Sequence, residues 1–309
     1  MSLPSPSGWV ILDKPLGLGS TQAVAAVKRN LREAGYGKGV KVGHGGTLDP
    51  LATGVLPIAL GEATKLAGRM LDSDKIYAFT LGLGQQTDTL DLEGKVVASS
   101  DARPSRAEIE AVLPRFTGPI EQVPPAYSAL MVDGARAYDL ARAGQAVALK
   151  SRDVTIHALE WLAVDGGDAA LDAVTLRAHV SKGTYIRSLA RDIALALGTV
   201  GTVTMLRRIK AGPFAIEQAI SLDKLNAVGK GASLEHIILP LEAGLVDIPA
   251  LNLNPESARA IRQGRVLSGL PETDGLYWAR CGDVPLALVM LSGGALRVER
   301  GFNLPGVAE

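Results

Sequence analysis

The run Gly43-His44-Gly45-Gly46-Thr47-Leu48-Asp49-Pro50-Leu51-Ala52-Thr53-Gly54 places one carboxylate, Asp49, between glycines and a proline. Glycine lets the backbone take positive φ and approach a ligand closely, and proline fixes φ directly after the acid. Aspartates are ordinarily ionised at neutral pH, so a carboxylate aimed from such a loop can serve as a nucleophile or an electrostatic stabiliser. The same residues also fit an Asx-type turn, in which the carboxylate only caps backbone amides. Spacing alone leaves both readings open. A phosphate-cradling loop is the other obvious use of clustered glycines. The Gly-Lys-Ser/Thr ending of a Walker loop is missing here, as is GxGxxG after a strand. Nothing resembles a GxSxG elbow, and no His, Cys and carboxylate set has metal-ligand spacing along the chain. The expectation is therefore chemistry without nucleotide, cofactor or metal.

A second constellation, Ser181-Lys182-Gly183-Thr184-Tyr185-Ile186-Arg187, lies where a strand should hand over to a helix. The planar fork of Arg187 can pair with a carboxylate or a phosphate, and Tyr185 offers a ring face and a hydroxyl. Arg191, Arg207, Arg208 and Lys210 follow, interrupted mainly by Asp192. Lys28, Arg29, Arg32, Lys38 and Lys41 make another basic group near the Asp49 loop. Either group reads as ordinary solvated surface; two of them flanking a glycine loop favour contact with a phosphate backbone. Tyr77, mid-strand among apolar neighbours, reads as a core aromatic, and His44 as a lone structural histidine.

Elements with recognisable periods must position these residues. Trp9 to Leu12 is a compact strand stopped by Asp13-Lys14-Pro15, and Ser20 or Thr21 can cap a helix carrying Val24, Val27 and Leu31. A helix over roughly Glu62 to Leu71 leads into a strand on which Tyr77, Phe79 and Leu81 share a face. Ser105 and Glu108 form a capping-box pattern ahead of Ile109. VPPAYSALMVDGARAYDLARAG reads as an extended arm entering a short helix that ends at Gly144. Val174, Leu176, Ala178 and Val180 alternate with Thr175, Arg177 and His179 along a half-buried strand, and an amphipathic helix then runs to Gly198. The stretch from Leu222 to Pro249 has no clear period. Beyond Val246 a helix beginning at Pro255 and several short apolar runs make a small mixed β module. Strands and helices without a regular βαβ rhythm predict an α+β protein.

The bulk figures set outer bounds. With 309 residues, of which 47% are hydrophobic and 21% charged, the chain is an ordinary globular sequence of one large and one small domain. Lys plus Arg and Asp plus Glu balance at 32 each, so a polyanionic partner would need locally gathered charge. A single cysteine, Cys281, excludes an intramolecular disulfide. Neither a secretory leader nor an apolar run of membrane-spanning length is visible, so the expected location is the cytoplasm, with no membrane partner.

Six blocks, GWVILDKPLGLGST, KVGHGGTLDPLATGVLPIALGEATKL, DSDKIYAFTLGLGQQTDTLDLEG, PPAYSAL, VSKGTYIRSLARD and MLRRIKAGPF, occur in an order that resembles the TruB family of tRNA pseudouridine-55 synthases. The resemblance covers most of the first two-thirds of the chain, and the C-terminal module looks like that family's PUA-like RNA-binding domain. It implies a pseudouridine-synthase fold: a central mixed, largely antiparallel sheet with flanking helices and an RNA cleft. It implies a catalytic domain over 8–245, with an RNA-clasping insertion at about 124–152, and a PUA-like module over 246–309. By position, Asp49 matches the family's catalytic aspartate, and Tyr77 the tyrosine that stacks on the target base. Tyr185 and Arg187 match the pocket tyrosine and the arginine that pairs with the aspartate. His44 matches a histidine that contacts the T loop, and Leu206 a leucine of the pocket wall.

The implied partner is the T arm of tRNA, with no protein partner and a monomeric chain. Met131 and Ala135 stand where many members carry lysines, which leaves Arg136, Arg142, Lys150 and Arg152 to supply charge on the arm. Two alternatives accompany this expectation: a tRNA-folding chaperone in which catalysis is secondary, and a related synthase acting on another RNA.

Overall fold

The computed structural model describes residues 5–128, 130–132, 134–145, 147, 149–163, 168–229 and 234–306. Seven strands form the spine: β1 (Gly8–Lys14), β2 (Ala52–Leu60), β3 (Lys75–Leu83), β4 (Gly118–Gln122), β5 (Arg152–Ala163), β6 (Ala173–Val180) and β7 (Gly201–Ala211). They lie in the order β1-β2-β7-β3-β6-β5-β4 within an eleven-stranded sheet, with Ile220–Ser221 outside β1. All spine pairings are antiparallel except β2 with β7, which runs parallel through Leu206↔Ala52, Arg207↔Thr53 and Arg208↔Gly54. This mixed, largely antiparallel sheet with helices packed on it is the expected α+β architecture.

β1 shows why the strands are so apolar. Val10 and Leu12 pack with Val27 and Leu31 of helix α1 (Ser20–Glu33), while Trp9 and Ile11 pack on the opposite side with Val55, Phe214, Leu288 and Phe302. A period of two places successive residues on opposite faces, and both faces are covered. On the far half of the sheet, helix α2 (Arg106–Val112) and helix α3 (Ile186–Ala196) bury Ile109, Ile186, Leu189 and Ile193 against Phe79, Leu81, Leu176 and Val203. The Ser105 capping box is formed as predicted, and α3 ends before Gly198, whose φ is +72°. The arm after Pro124 carries a two-strand hairpin, Met131–Val132 with Ala135–Arg136, and a helix at Ala137–Arg142.

The local readings need three corrections. Helix α1 is capped at Gly19, whose N–H donates to Gln22 Oε1 at 2.8 Å, because the Ser20 hydroxyl is committed to the neighbouring loop. The segment expected as one helix from Glu62 is a 3₁₀ turn, Gly61–Leu66, followed by a short helix, Ala67–Asp72. Arg207, Arg208 and Lys210 lie on strand β7, where Arg208 is buried and is not solvated surface.

A second, five-stranded sheet follows. Strands β8 (Gly275–Cys281), β9 (Val284–Ser292) and β10 (Ala295–Gly301) form its centre, with Ala250–Asn252 and Leu267–Ser268 at the edges. Helix α4 (Pro255–Arg262), capped by the Asn254 carboxamide, buries Ala258 and Ile261 against it.

Candidate active site

The Asp49 loop leaves the sheet between the short strand Val42–His44 and β2, and three side chains pin it. The Ser20 hydroxyl accepts from Leu48 N–H at 2.9 Å and donates to Leu48 O at 3.0 Å. The buried Lys14 ammonium donates to Leu18 O at 2.6 Å, to Pro15 O at 3.1 Å and to Pro50 O at 3.2 Å. Burial lowers the Lys14 pKa to about 8, with the Arg208 charge adding to the effect and that of Asp49 opposing it. Arg208, only 1% exposed, donates to Val55 O at 2.7 Å, Gly46 O at 3.1 Å and Thr47 O at 3.3 Å. Backbone carbonyls on both sides of Asp49 are thus tied to buried cations. Burying a charge is costly unless its donors are satisfied, and here the loop supplies the acceptors.

Asp49 points toward Arg187, in the first turn of α3. Its Oδ2 lies 2.9 Å from Arg187 Nη2, and Asp91 Oδ2 lies 3.5 Å from Nη1 of the same guanidinium. Arg187 is 5% exposed and also donates to Thr89 O at 2.8 Å and Tyr127 O at 3.0 Å. Asp91 Oδ1 accepts from the Thr89 hydroxyl at 2.6 Å and Glu93 N–H at 3.0 Å. Leu90, beside it, is the one non-glycine among the described residues with a left-handed backbone, at φ 63°. Burial, followed by the charges of Asp91 and Asp49, pushes the Glu93 carboxyl above its usual range, against the pull of Arg187 and Arg142.

Three cavities meet at Asp49 and Arg187. The first, of about 290 Å³, is walled by Tyr77, Tyr185, Leu206 and Lys75. Tyr185 is held there by its N–H, which donates to Gln122 Oε1 at 2.8 Å, and the Arg152 guanidinium lies 5.3 Å from its ring centre. The second, of about 600 Å³, runs past His44, Pro50, Arg136 and Tyr138. The third, of about 460 Å³, is an apolar groove along Leu16, Leu51, Leu92 and Met205. Five of the six predicted site residues, Asp49, Tyr77, Tyr185, Arg187 and Leu206, therefore surround one pocket. His44 sits on the adjoining wall. Burial, with the Arg208 charge, lowers its pKa, and its Nδ1 is enclosed without a hydrogen-bond partner.

The two basic groups divide. Lys28, Arg29, Arg32, Lys38 and Lys41 are exposed. In the other group Arg207 makes a two-pronged pair with Asp13 at 2.8 and 3.0 Å, Arg191 bonds Asp192 at 2.8 Å, and Arg208 is buried. Charge density along the sequence could not separate solvated cations from buried ones. Sequence reasoning took Lys14 for part of a strand stop and Arg208 for one of a basic group, and passed over Asp91. Their only signal was a polar side chain beside or within an apolar run. Asp74, His157 and His179, far apart in sequence, also come together, with candidate ligand atoms all within 4.8 Å of one another.

The site thus sets a pinned aspartate against a buried arginine in an aromatic-walled pocket, on a mixed, largely antiparallel sheet. Residues 31–186 match the model of the TruB family pseudouridylate synthase N-terminal domain, and residues 187–246 that of the tRNA pseudouridylate synthase B C-terminal domain. The chain is 74% identical over 302 residues to a tRNA pseudouridine synthase B of Novosphingobium aromaticivorans, covering 98% of this chain and 99% of that protein. It is 57% identical to the protein of that name from Zymomonas mobilis, covering 97% and 98% of the two chains. Among solved structures, an H/ACA RNP bound to a substrate RNA containing 2′-deoxyuridine superposes with a TM-score of 0.71 at 25% identity, covering 98% of this chain and 87% of that one. A Cbf5-Nop10-Gar1 complex gives 0.70 at 27%, covering 96% and 84%. The chain belongs to the TruB family of pseudouridylate synthases.

Proposed function

We propose that this enzyme converts uridine 55 in the T loop of tRNA to pseudouridine, with Asp49 as the catalytic residue. The pairing of Asp49 with Arg187 at the floor of a pocket walled by Tyr77, Tyr185 and Leu206 carries the proposal. The reaction breaks the N1–C1′ bond, rotates the uracil and joins C5 to C1′; the C5 proton leaves and N1 gains one. It is redox-neutral. A uridine inside folded RNA must first be extruded, at a cost of a few kcal/mol, and stacking on Tyr77 returns about 1–3 kcal/mol.

Each side chain then has a task. The Ser20, Lys14 and Arg208 contacts hold the loop, and Arg187 orients the Asp49 carboxylate toward the flipped nucleotide. Tyr185 and Leu206 close the pocket around the base. His44, with its unpaired Nδ1, contacts the T loop in the adjoining cavity. The hairpin and helix of residues 124–152, with Arg136 on a cavity wall and Arg152 beside the Tyr185 ring, clasp the RNA. Residues 8–245 form the catalytic unit and 246–309 an RNA-binding module, and the chain works as a cytoplasmic monomer. A purely chaperoning role would leave the Asp49–Arg187 pair without a purpose.

Tritium release from tRNA labelled at uridine C5 tests the proposal. Wild type is expected to release label from position 55, and Asp49→Asn to bind tRNA but release none. Release by Asp49→Asn at the wild-type rate would overturn the role of Asp49.

A further inference from the structure

On the sheet face opposite the pocket, two strands and the residue preceding a third bring together two imidazoles and a carboxylate that the uridine chemistry does not use. His179 lies on β6 next to Val180, which lines the pocket, so alternation turns His179 to the other side. His157 is the residue skipped between the pairings Ile156↔Val180 and Ala158↔His179, which makes it the extra residue of a β-bulge. Such bulges re-aim a side chain. Here the bulge swings the His157 ring beside His179, with centroids 4.7 Å apart and planes inclined by 48°. Asp74, the residue before β3, completes the group. Its Oδ2 is 3.1 Å from His157 Nε2 and 3.8 Å from His179 Nε2.

We propose that Asp74, His157 and His179 form a binding site for one divalent transition-metal ion of zinc type. Metal–ligand bonds of about 2.0–2.2 Å around a tetrahedron place ligand atoms about 3.3–3.5 Å apart, and the two nitrogen–oxygen separations bracket that spacing. At 3.8 Å the His179–Asp74 approach is too long for a hydrogen bond. Two Nε2 atoms converge on one oxygen, at 3.1 and 3.8 Å, and an ion between them would satisfy all three. Two imidazoles and a carboxylate are a zinc-type donor set, leaving a fourth position for water. Among the cations on this face, Arg177 pairs with Glu160 at 3.7 Å and Lys182 with Asp72 at 3.0 Å, and Lys210 also faces His179. Lys75 and Val180, each one residue from a ligand, line the catalytic pocket. An ion would thus tie together the strand ends that carry two of its walls.

The test uses the full-length, tag-free chain after chelator treatment, titrated with Zn(II) by calorimetry and with Co(II) by visible absorption. One equivalent is expected to bind, with a tetrahedral Co(II) spectrum lacking thiolate charge transfer, and to raise the unfolding temperature. His157→Gln and His179→Gln should each keep the metal-free unfolding temperature and weaken binding at least about tenfold. His236→Gln and Cys281→Ser should bind as wild type does. Absence of saturable binding, or binding unchanged in both His157→Gln and His179→Gln, would overturn the proposal. Loss of binding in Cys281→Ser would do the same, by placing the ion elsewhere.

Discussion

Arg187 binds two carboxylates and two carbonyls with one guanidinium, and those contacts differ in purpose. Nη2 meets Asp49 on the pocket side, while Nη1 meets Asp91 and Thr89 O behind it. Asp91 is itself held by Thr89 and Glu93, so it fixes the arginine that fixes Asp49, the proposed catalytic residue. Arg187→Ala is expected to lower turnover by about 10²-fold or more, as loss of a preorganised electrostatic partner does, with a smaller effect on tRNA affinity. Asp91→Asn, which keeps the shape but removes the charge, should lower turnover less and leave affinity unchanged. Single-turnover rates and filter-binding constants separate the two. An equal loss of rate and affinity in Arg187→Ala would make it a phosphate contact. Arg187→Lys should not rescue, because one ammonium cannot reproduce a fork.

At the scale of elements, the loop is aimed by the parallel junction of β2 and β7. Gly54 pairs with Arg208 at a backbone φ of +100°, and a Cβ there would lie 2.2 Å from Arg208 O. That close approach is what lets the Arg208 side chain reach Gly46 and Thr47. Gly54→Ala is expected to destabilise by about 2–4 kcal/mol, through strain and a displaced strand. Gly68→Ala, in the short helix Ala67–Asp72 where a Cβ meets nothing, should be neutral or stabilising by up to about 1 kcal/mol. Urea midpoints of the two variants give the comparison, and equal midpoints would remove Gly54 from this role. The glycines were visible in the sequence as punctuation. Which one was indispensable depended on what lay across the strand.

Across the whole molecule, the C-terminal sheet shares a core with the eleven-stranded sheet. Leu288 and Phe302 pack with Trp9, Ile11 and Phe214. Around that contact Arg69 pairs with Asp247 at 3.0 Å, and Lys65 donates to Gly301 O at 2.8 Å. Glu62 Oε2 accepts from Asn303 N–H and from Lys65 Nζ, each at 2.6 Å. Burial alone would raise the Glu62 pKa. The Asn303 and Lys65 hydrogen bonds, with the charges of Lys65 and Lys41, outweigh it and hold the carboxyl below its ordinary value of 4.5. A depressed folded-state pKa means that the unfolded chain binds the proton more readily. The stabilisation is therefore complete above about pH 4.5 and is lost as pH falls through the folded-state value. Glu62→Gln should unfold at lower urea than wild type at pH 7, and the gap should narrow on acidification below pH 4.5. A gap constant with pH would mean that the carboxylate does not link the two sheets.

Periodic apolar patterning, glycine stops and the Ser105 box determined most of the elements by themselves, because local backbone preference and burial act over a few residues. The ordered family blocks singled out Asp49, Tyr77, Tyr185, Arg187, Leu206 and His44 as the proposed site, although local spacing alone left Asp49 between a nucleophile and a turn. Only the tertiary structure decided which charges were buried. Lys14 and Arg208 looked like a strand stop and a surface cation, yet both turn inward because the Asp49 loop presents carbonyls that no sequence period reveals. The same holds for Asp91 behind Arg187, and for Asp74, His157 and His179, which meet through strand register and one bulge. Register and burial are properties of the packed sheet, set by pairings between residues far apart in the chain.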